Sequence, residues 1–349
     1  MEYVIALLGL TLLVIFHEFG HFIGARLFGV RVEEFMVGLP GPKLARTRIG
    51  ETLYGITLIP FGGYVKLHGD IDAAEAGKPF ENPDRAFLLK PFWQRTAIIF
   101  LGPFFNLVLA VFLFAAMFMY GVPGYPTTTV EKVLEGTAAA RAGIAPNDRV
   151  LSIDGRKIDE WQELVDYVRA RPGSTVRLVV ERNGQRRTFK MLVGTRNGVG
   201  FLGLQARTGV KRLGFLDALV QGFRSTVAMT SMFVVLLGKL ISSGDLISQS
   251  AGPVGIVVES TRAIRLGIDF YLYLLALLSI NLAIVNLIPM PPLDGGRIAL
   301  MVVERVTGKR IGLQVYAVLQ LIGLLLFVIL MIFLIQADVA RYHPFGIGM

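Results

Sequence analysis

The chain has no cysteine among its 349 residues, which excludes disulfides and thiolate metal ligands but leaves the compartment open. Charge is also scarce: 17% of residues are Asp, Glu, Lys or Arg, against about a quarter in soluble domains. Hydrophobic residues make up 53%, and the mean hydropathy is +0.59. Together these values describe an integral membrane protein with enough polar sequence for one further domain. The net charge of +9 reads as Lys and Arg collected in cytoplasmic loops, and no nucleic-acid partner is expected. Histidine is rare too: His17, His21, His68 and His343 are the full set. The N-terminus lacks a basic leader and an A-x-A-like site, so the first helix is expected to be retained.

Four apolar runs are expected to cross the membrane: residues 3 to 28, 95 to 120, 270 to 292 and 313 to 336. Between the first two, residues 51 to 67 (ETLYGITLIPFGGYVKL) alternate apolar and polar side chains and break at Pro60 and Gly62-Gly63. That pattern predicts a membrane-associated β-hairpin or β-ribbon. Residues 122 to 208 bring charges, Gly-rich turns, short strand patterns and one amphipathic helix, WQELVDYVRA, which together predict a small α+β domain. Residues 213 to 243 are apolar but carry Asp217, Arg224 and Lys239, so they read either as a span or as an interfacial helix.

The basic loops at residues 29 to 91 and 295 to 312 belong on the cytoplasmic side, which places both chain ends and the 122 to 208 domain outside. If residues 213 to 243 also spanned, Asp294 would lie on the opposite membrane face from His21. The expectation is therefore four spans, with residues 209 to 269 forming a peripheral amphipathic helix and linker. Residues 1 to 121 and 270 to 349 then make up the two transmembrane parts.

The first span contains HEFGH. His17 and His21 are four residues apart and share one helix face, where two imidazole nitrogens can hold one Zn²⁺. Glu18 lies beside them as a base for an attacking water. Such groups are expensive in an apolar segment, so packing alone does not account for them. Catalytic zinc usually takes a third protein ligand. His68 follows the ribbon and His343 is in the tail. Asp294, at the end of a span within PMPPLDGG, is better placed. Alone, Asp294 reads equally as the N-cap of a following helix. Asn106 in the second span reads as an oxyanion donor or as an interhelical hydrogen bond; Asn286 carries the same two readings, and Asn281 reads as structural.

HEFGH, then Gly102-Pro103-Phe-Phe-Asn106, then Asn286-Leu-Ile-Pro-Met-Pro-Pro-Leu-Asp294-Gly-Gly resemble the site-2 protease family. These are bacterial intramembrane zinc metalloproteases of regulated intramembrane proteolysis; the chain looks like the sigma-E protease type with a single PDZ domain. SAGPVGI at residues 250 to 256 adds to the resemblance, which covers essentially the whole chain. It implies that His17, His21 and Asp294 bind zinc, that Glu18 is the catalytic base, and that Asn106 positions substrate or stabilises the tetrahedral intermediate.

GTAAARAGIAPNDRVLSIDGRKI at residues 136 to 158 resembles a circularly permuted bacterial PDZ domain, and residues 198 to 203 resemble its carboxylate-greeting loop. The resemblance also implies an inner-membrane location, and the basic loops place the active site towards the cytoplasm. It further implies transmembrane proteins or peptides as substrates, including anti-sigma factors and signal-peptide remnants, and an upstream site-1-type protease. Two other classes compete. A zinc transporter would not need Glu18 or a PDZ-like domain, and a non-catalytic adaptor would leave the His-Glu-His face without a purpose.

Overall fold

In a computed structural model, residues 1–59, 62–70, 82–243, 252–309 and 311–342 are described. Pro60, His343, the linker at 244 to 251 and the Ser-Ala that opens SAGPVGI lie outside them. The chain divides into two units. One comprises Met1–Met119 with Gly214–Met349, and the other is Tyr120–Leu213.

In the first unit, α1 (Glu2–Leu27) is followed by strands β1 (Val32–Val37), β2 (Lys43–Ile49), β3 (Thr52–Thr57) and β4 (Gly63–Leu67), then α2 (Phe92–Tyr120). Residues 51 to 67 do not form the expected hairpin. Their two strands belong to one sheet of order β2-β3-β1-β4, with β1 between them. β1 runs parallel to β3 and antiparallel to β4. Local alternation marks the strands, but it carries no information about a partner inserted from earlier in the chain. Phe35 and Tyr54 share the sheet face that meets Phe22 of α1, at ring separations of 5.5 and 6.1 Å.

α1 and α2 cross antiparallel. A Cβ on Gly20 would strike the Leu101 carbonyl, and one on Gly24 would lie 3.0 Å from the Ile98 Cα. Small residues permit such backbone approach between membrane helices. Pro103 sits inside α2.

The second half of this unit holds α5 (Phe215–Ser243), α6 (Pro253–Leu266), α7 (Ile268–Asn286), α8 (Asp294–Thr307) and α9 (Leu313–Tyr342). The helix expected to reach residue 292 ends at Asn286. Pro289, Pro291 and Pro292 cannot donate to a helix ladder, and residues 287 to 293 turn back to start α8. Gly295 and Gly296 make that turn possible: a Cβ on Gly296 would meet Met290 and Pro291 backbone atoms at 2.6 Å. α7 runs parallel to α1, since Tyr271 donates to the Ile5 carbonyl (2.8 Å) and Asp294 meets His17 and His21. Five described helices are long and apolar enough to cross a membrane, and Phe215–Lys239 has the lowest mean hydropathy of them, 1.3.

The second unit holds β5 (Val122–Val133), α3 (Ala138–Ala142), β6 (Arg149–Ile153), β7 (Arg156–Lys157), α4 (Trp161–Arg169), β8 (Thr175–Arg182), β9 (Gln185–Leu192), β10 (Gly194–Arg196), β11 (Val199–Phe201) and β12 (Leu204–Lys211). Its main sheet has the order β12-β5-β6-β8-β9, so the final strand pairs with the first. Ile153, Leu178 and Val180 form its core with Trp161 and Leu164 of α4. Asp154 and Gly155 both take positive φ, 47° and 83°, as a two-residue hairpin turn requires.

Asp148 is fully buried here and bidentate with Arg182, at 2.6 and 2.7 Å, while the Ala145 N–H donates at 2.9 Å. Burial pushes the Asp148 pKa up, but Arg182 and the Ala145 N–H outweigh it and hold the carboxyl below its usual value. The resulting stability is present above the ordinary Asp pKa of about 3.9 and is lost as pH falls through the depressed value. Asp148→Ala is expected to cost this unit about 1–3 kcal/mol, because the Ala145 N–H and the Arg182 guanidinium lose their buried acceptor. Amide exchange in β6 and β8 measures this, and unchanged protection would contradict it.

Candidate metal centre

α1 carries His17, Glu18 and His21, and the first residue of α8 is Asp294. The helical repeat puts both imidazoles on one face. His17 Nε2 lies 3.0 Å from Asp294 Oδ2, and His21 Nε2 lies 3.3 Å from the same oxygen. The two Nε2 atoms are 3.2 Å apart. Asp294 does not cap its helix: Leu293 occupies the N-cap position and no side-chain cap bond is present.

Three lone-pair atoms meeting at 3.0 to 3.3 Å repel one another unless a metal cation or a shared proton lies among them. Tetrahedral zinc with bonds of about 2.0–2.1 Å separates neighbouring ligand atoms by roughly 3.3–3.4 Å. The observed triangle therefore fits one such ion. Asp294 Oδ2 is buried without a hydrogen-bond donor, which is the state expected of a ligand atom. The donor set of two imidazoles and one carboxylate suits zinc and leaves a fourth position open.

The other imidazole nitrogens are also engaged. His21 Nδ1–H donates to the Ile98 carbonyl at 3.0 Å, which leaves Nε2 with its lone pair. His17 Nδ1 lies 3.2 Å from the Asn106 amide nitrogen, while Asn106 Oδ1 has no partner. The two amide atoms are sterically equivalent. With them exchanged, Oδ1 accepts from His17 Nδ1–H, the orphan is satisfied, and Nε2 is free for a metal.

Asn106 is fully buried, and it is not among the residues lining the adjacent cavity. Its side chain meets His17 across α1 and α2, the interhelical hydrogen bond that is one of its two expected readings. Asn286 does line the cavity.

The cavity has a volume of about 340 Å³. Glu18 lines it beside the three metal donors, with Tyr64 and Val65 of β4 on the same wall. The Val65 backbone N–H faces the Glu18 carboxylate. His68 is absent from the centre: its Nδ1 pairs with Glu33 at 2.9 Å. Asp70 and Arg297 also line the cavity, and neither stood out in the sequence. Arg297 lies one turn beyond Asp294, a spacing that hints at a shared face, whereas nothing in the local pattern marks Asp70.

Gly102 fixes the His21 ring. A Cβ there would collide with the imidazole, meeting Cε1 and Nε2 first. Gly102→Val is expected to weaken zinc binding about 10–100-fold, the usual effect of displacing a ligand's support. Competition with a chromogenic chelator measures it, and an unchanged affinity would show that α2 can shift without moving His21.

Two imidazoles and a carboxylate around an open position, with a further carboxylate at hand, define a metal-dependent hydrolase site. The family model for Peptidase family M50 matches residues 5–330. A putative zinc metalloprotease of Agrobacterium fabrum is 30% identical over 96% of this chain and 94% of its own length. The zinc metalloprotease RasP of Geobacillus kaustophilus is 29% identical, covering 95% and 96%. The regulator of sigma-E protease RseP of Escherichia coli is 28% identical, covering 96% and 97%. Among solved structures, the PDZ domain of an SdrC-like protein from Listeria monocytogenes aligns with 24% of this chain and 88% of its own, at 21% identity and TM-score 0.22. The chain belongs to peptidase family M50, the site-2 protease family. It is a zinc metallopeptidase.

Proposed function

We propose that this protein is an intramembrane endopeptidase that cuts transmembrane segments of other membrane proteins, with zinc held by His17, His21 and Asp294. The observation that carries the proposal is the donor triangle of His17, His21 and Asp294, whose two imidazoles lie on a helix long and apolar enough to span a bilayer. When bound there, zinc supplies a Lewis acid for the scissile carbonyl and lowers the pKa of the attacking water. Glu18 takes that water's proton and returns it to the leaving amine. Asn106 orients His17, the Ile98 carbonyl orients His21, and Asn286 donates to the developing oxyanion.

A helical substrate hides its carbonyls in i to i−4 bonds, so it must unwind before cleavage. β4 is an edge strand paired only with β1 among the described residues, and the Val65 N–H on its other side faces Glu18. An unwound substrate added along that edge would lie extended beside the site. Substrates of this kind include anti-sigma factors already trimmed by a site-1-type protease, and signal-peptide remnants.

Four crossings fit this reading. Glu2 of α1 pairs with Arg265 of α6 at 2.7 Å, and Asp338 near the end of α9 accepts from the Gly252 and Gly255 N–H groups at α6's start. α6 thus lies on the side of α1's N-terminus. The antiparallel crossing puts α2's C-terminus there too, so a single crossing by α5 would leave α6 on the wrong side. We place the PDZ-like unit on this outer side and the zinc towards the cytoplasm of a bacterial inner membrane.

The test is cleavage of a single-span protein by the zinc-loaded enzyme in nanodiscs, with products sized by mass spectrometry. Cuts inside the span that stop on chelation are expected. Cuts confined to soluble tails, or cleavage indifferent to chelation, would overturn the proposal.

A further inference from the structure

Residues 120 to 213 hold sixteen Lys and Arg against nine Asp and Glu, a surplus of seven in a chain whose net charge is +9. Most of the net charge therefore sits in the PDZ-like unit, not in the basic loops that fix orientation. Peptide capture by strand addition works through main-chain hydrogen bonds and needs no such surplus.

Strand register shows where part of it gathers. Directly paired residues of an antiparallel ladder have their side chains on the same face. β6, β8 and β9 pair Arg149 with Glu181, Glu181 with Arg186, and Arg177 with Lys190. The alternate residues Val150, Val176, Leu178, Val180 and Met191 are buried in the core. Arg149, Arg177, Arg186 and Lys190 thus share the outer face of the sheet, and all four are exposed. Glu181 is the one acid in these three strands.

Among the described residues, the ion pairs of this unit are Lys157–Asp159, Arg182–Asp148 and Lys211–Glu160, and none involves the four cations. Arg177 and Lys190 stand directly opposite each other, an arrangement that costs stability in a sheet. Protecting the β9 edge calls for charge on β9 itself. It does not account for Arg149 on β6 or Arg177 on β8, which are interior strands.

Two observations choose the partner. The unit follows α2, which ends at Tyr120, and leads into α5, which begins at Phe215; both helices are long and apolar enough to cross a membrane. A bilayer surface is therefore always within reach of the unit. Leu192, 60% exposed, stands opposite Thr175 on the same face as Arg177 and Lys190. An apolar side chain among cations matches anionic headgroups lying over hydrocarbon, whereas a soluble acidic chain offers it no apolar counterpart.

We propose that the outer face of β6, β8 and β9 is a docking surface for anionic lipid headgroups, held by Arg149, Arg177, Arg186 and Lys190. The inference requires the neighbouring helices to lie in a membrane and does not depend on the zinc assignment.

The chain has no cysteine, so a single introduced one can be labelled uniquely. Thr188→Cys puts a fluorophore within the face, and Gln162→Cys puts one on α4, which packs against the sheet's other side. Full-length protein is placed in nanodiscs of phosphatidylcholine, or of an equal mixture with phosphatidylglycerol, each carrying a headgroup quencher. The Thr188→Cys label is expected to be quenched about threefold more in the anionic discs, and the Gln162→Cys label equally in both. The difference should vanish at about 0.5 M salt, where the Debye length is about 4 Å. It should also vanish in Arg149→Gln/Arg177→Gln/Arg186→Gln/Lys190→Gln protein, since each basic residue near an anionic surface contributes about fivefold to the docked-to-free ratio. The lipid and salt comparisons leave these four cations in place, so they decide the matter even if the quadruple variant fails to fold. Equal quenching of the Thr188→Cys label in both discs would overturn the inference, as would lipid-dependent quenching that survives in a folded quadruple variant. Protection of that label by soluble polyglutamate, with no response to phosphatidylglycerol, would overturn it in favour of an acidic peptide.

Discussion

Glu18→Gln is expected to reduce peptide-bond cleavage by about a thousandfold while one zinc per chain is retained. A positioned general base typically contributes 10²–10⁴-fold, and glutamine preserves the size and shape of glutamate without accepting a proton at working pH. Glu18 is not part of the donor triangle, which is formed by His17, His21 and Asp294. Its substitution should therefore leave the metal undisturbed. Single-turnover cleavage of a one-span substrate, paired with zinc content, checks both halves. Cleavage within about threefold of wild type would reject Glu18 as the base. Loss of zinc would mean that Glu18 is a ligand, and the division of roles proposed here would be wrong.

Asp294→Ala is expected to have the opposite signature, with zinc lost first and activity lost as a consequence. Its Oδ2 is the atom on which both imidazoles converge, at 3.0 and 3.3 Å. Removing it leaves two neutral nitrogens from one helix, a pair that holds zinc weakly without a charged third ligand. Purified after dialysis at micromolar protein, the variant should contain well below about 0.2 zinc per chain, whereas Asp294→Glu should recover part of the metal. Retention of full zinc in Asp294→Ala would show that the third ligand lies elsewhere.

How much of this was legible in the sequence depends on the range of the interaction. His17 and His21 share a face because the helical repeat is local, and any reader of HEFGH in an apolar run can place them together. Asp294 is more distant, and the four-span expectation places it only at the same membrane depth as His21; the 3.0 and 3.3 Å contacts come from the fold. The Asp154-Gly155 turn was legible for the same local reason.

What could not be read is pairing at long separation. β1 inserts between β3 and β4, and a parallel β1–β3 register leaves no trace in the alternation of either strand. The same holds for Asn106. Its residue type permitted either an oxyanion role or an interhelical hydrogen bond, and nothing local names His17, 89 residues away, as the group it meets. Arg297 and Asp70 are 227 residues apart, and neither has a local pattern that names the other.

The most direct test of the whole account is zinc K-edge absorption on the full-length protein in nanodiscs, read beside the His17→Ala/His21→Ala variant. The account predicts a four-coordinate centre with two imidazole shells and oxygen at about 2.0–2.1 Å, absent from the double variant. A centre without imidazole scattering, or an identical spectrum and zinc content in the double variant, would contradict it.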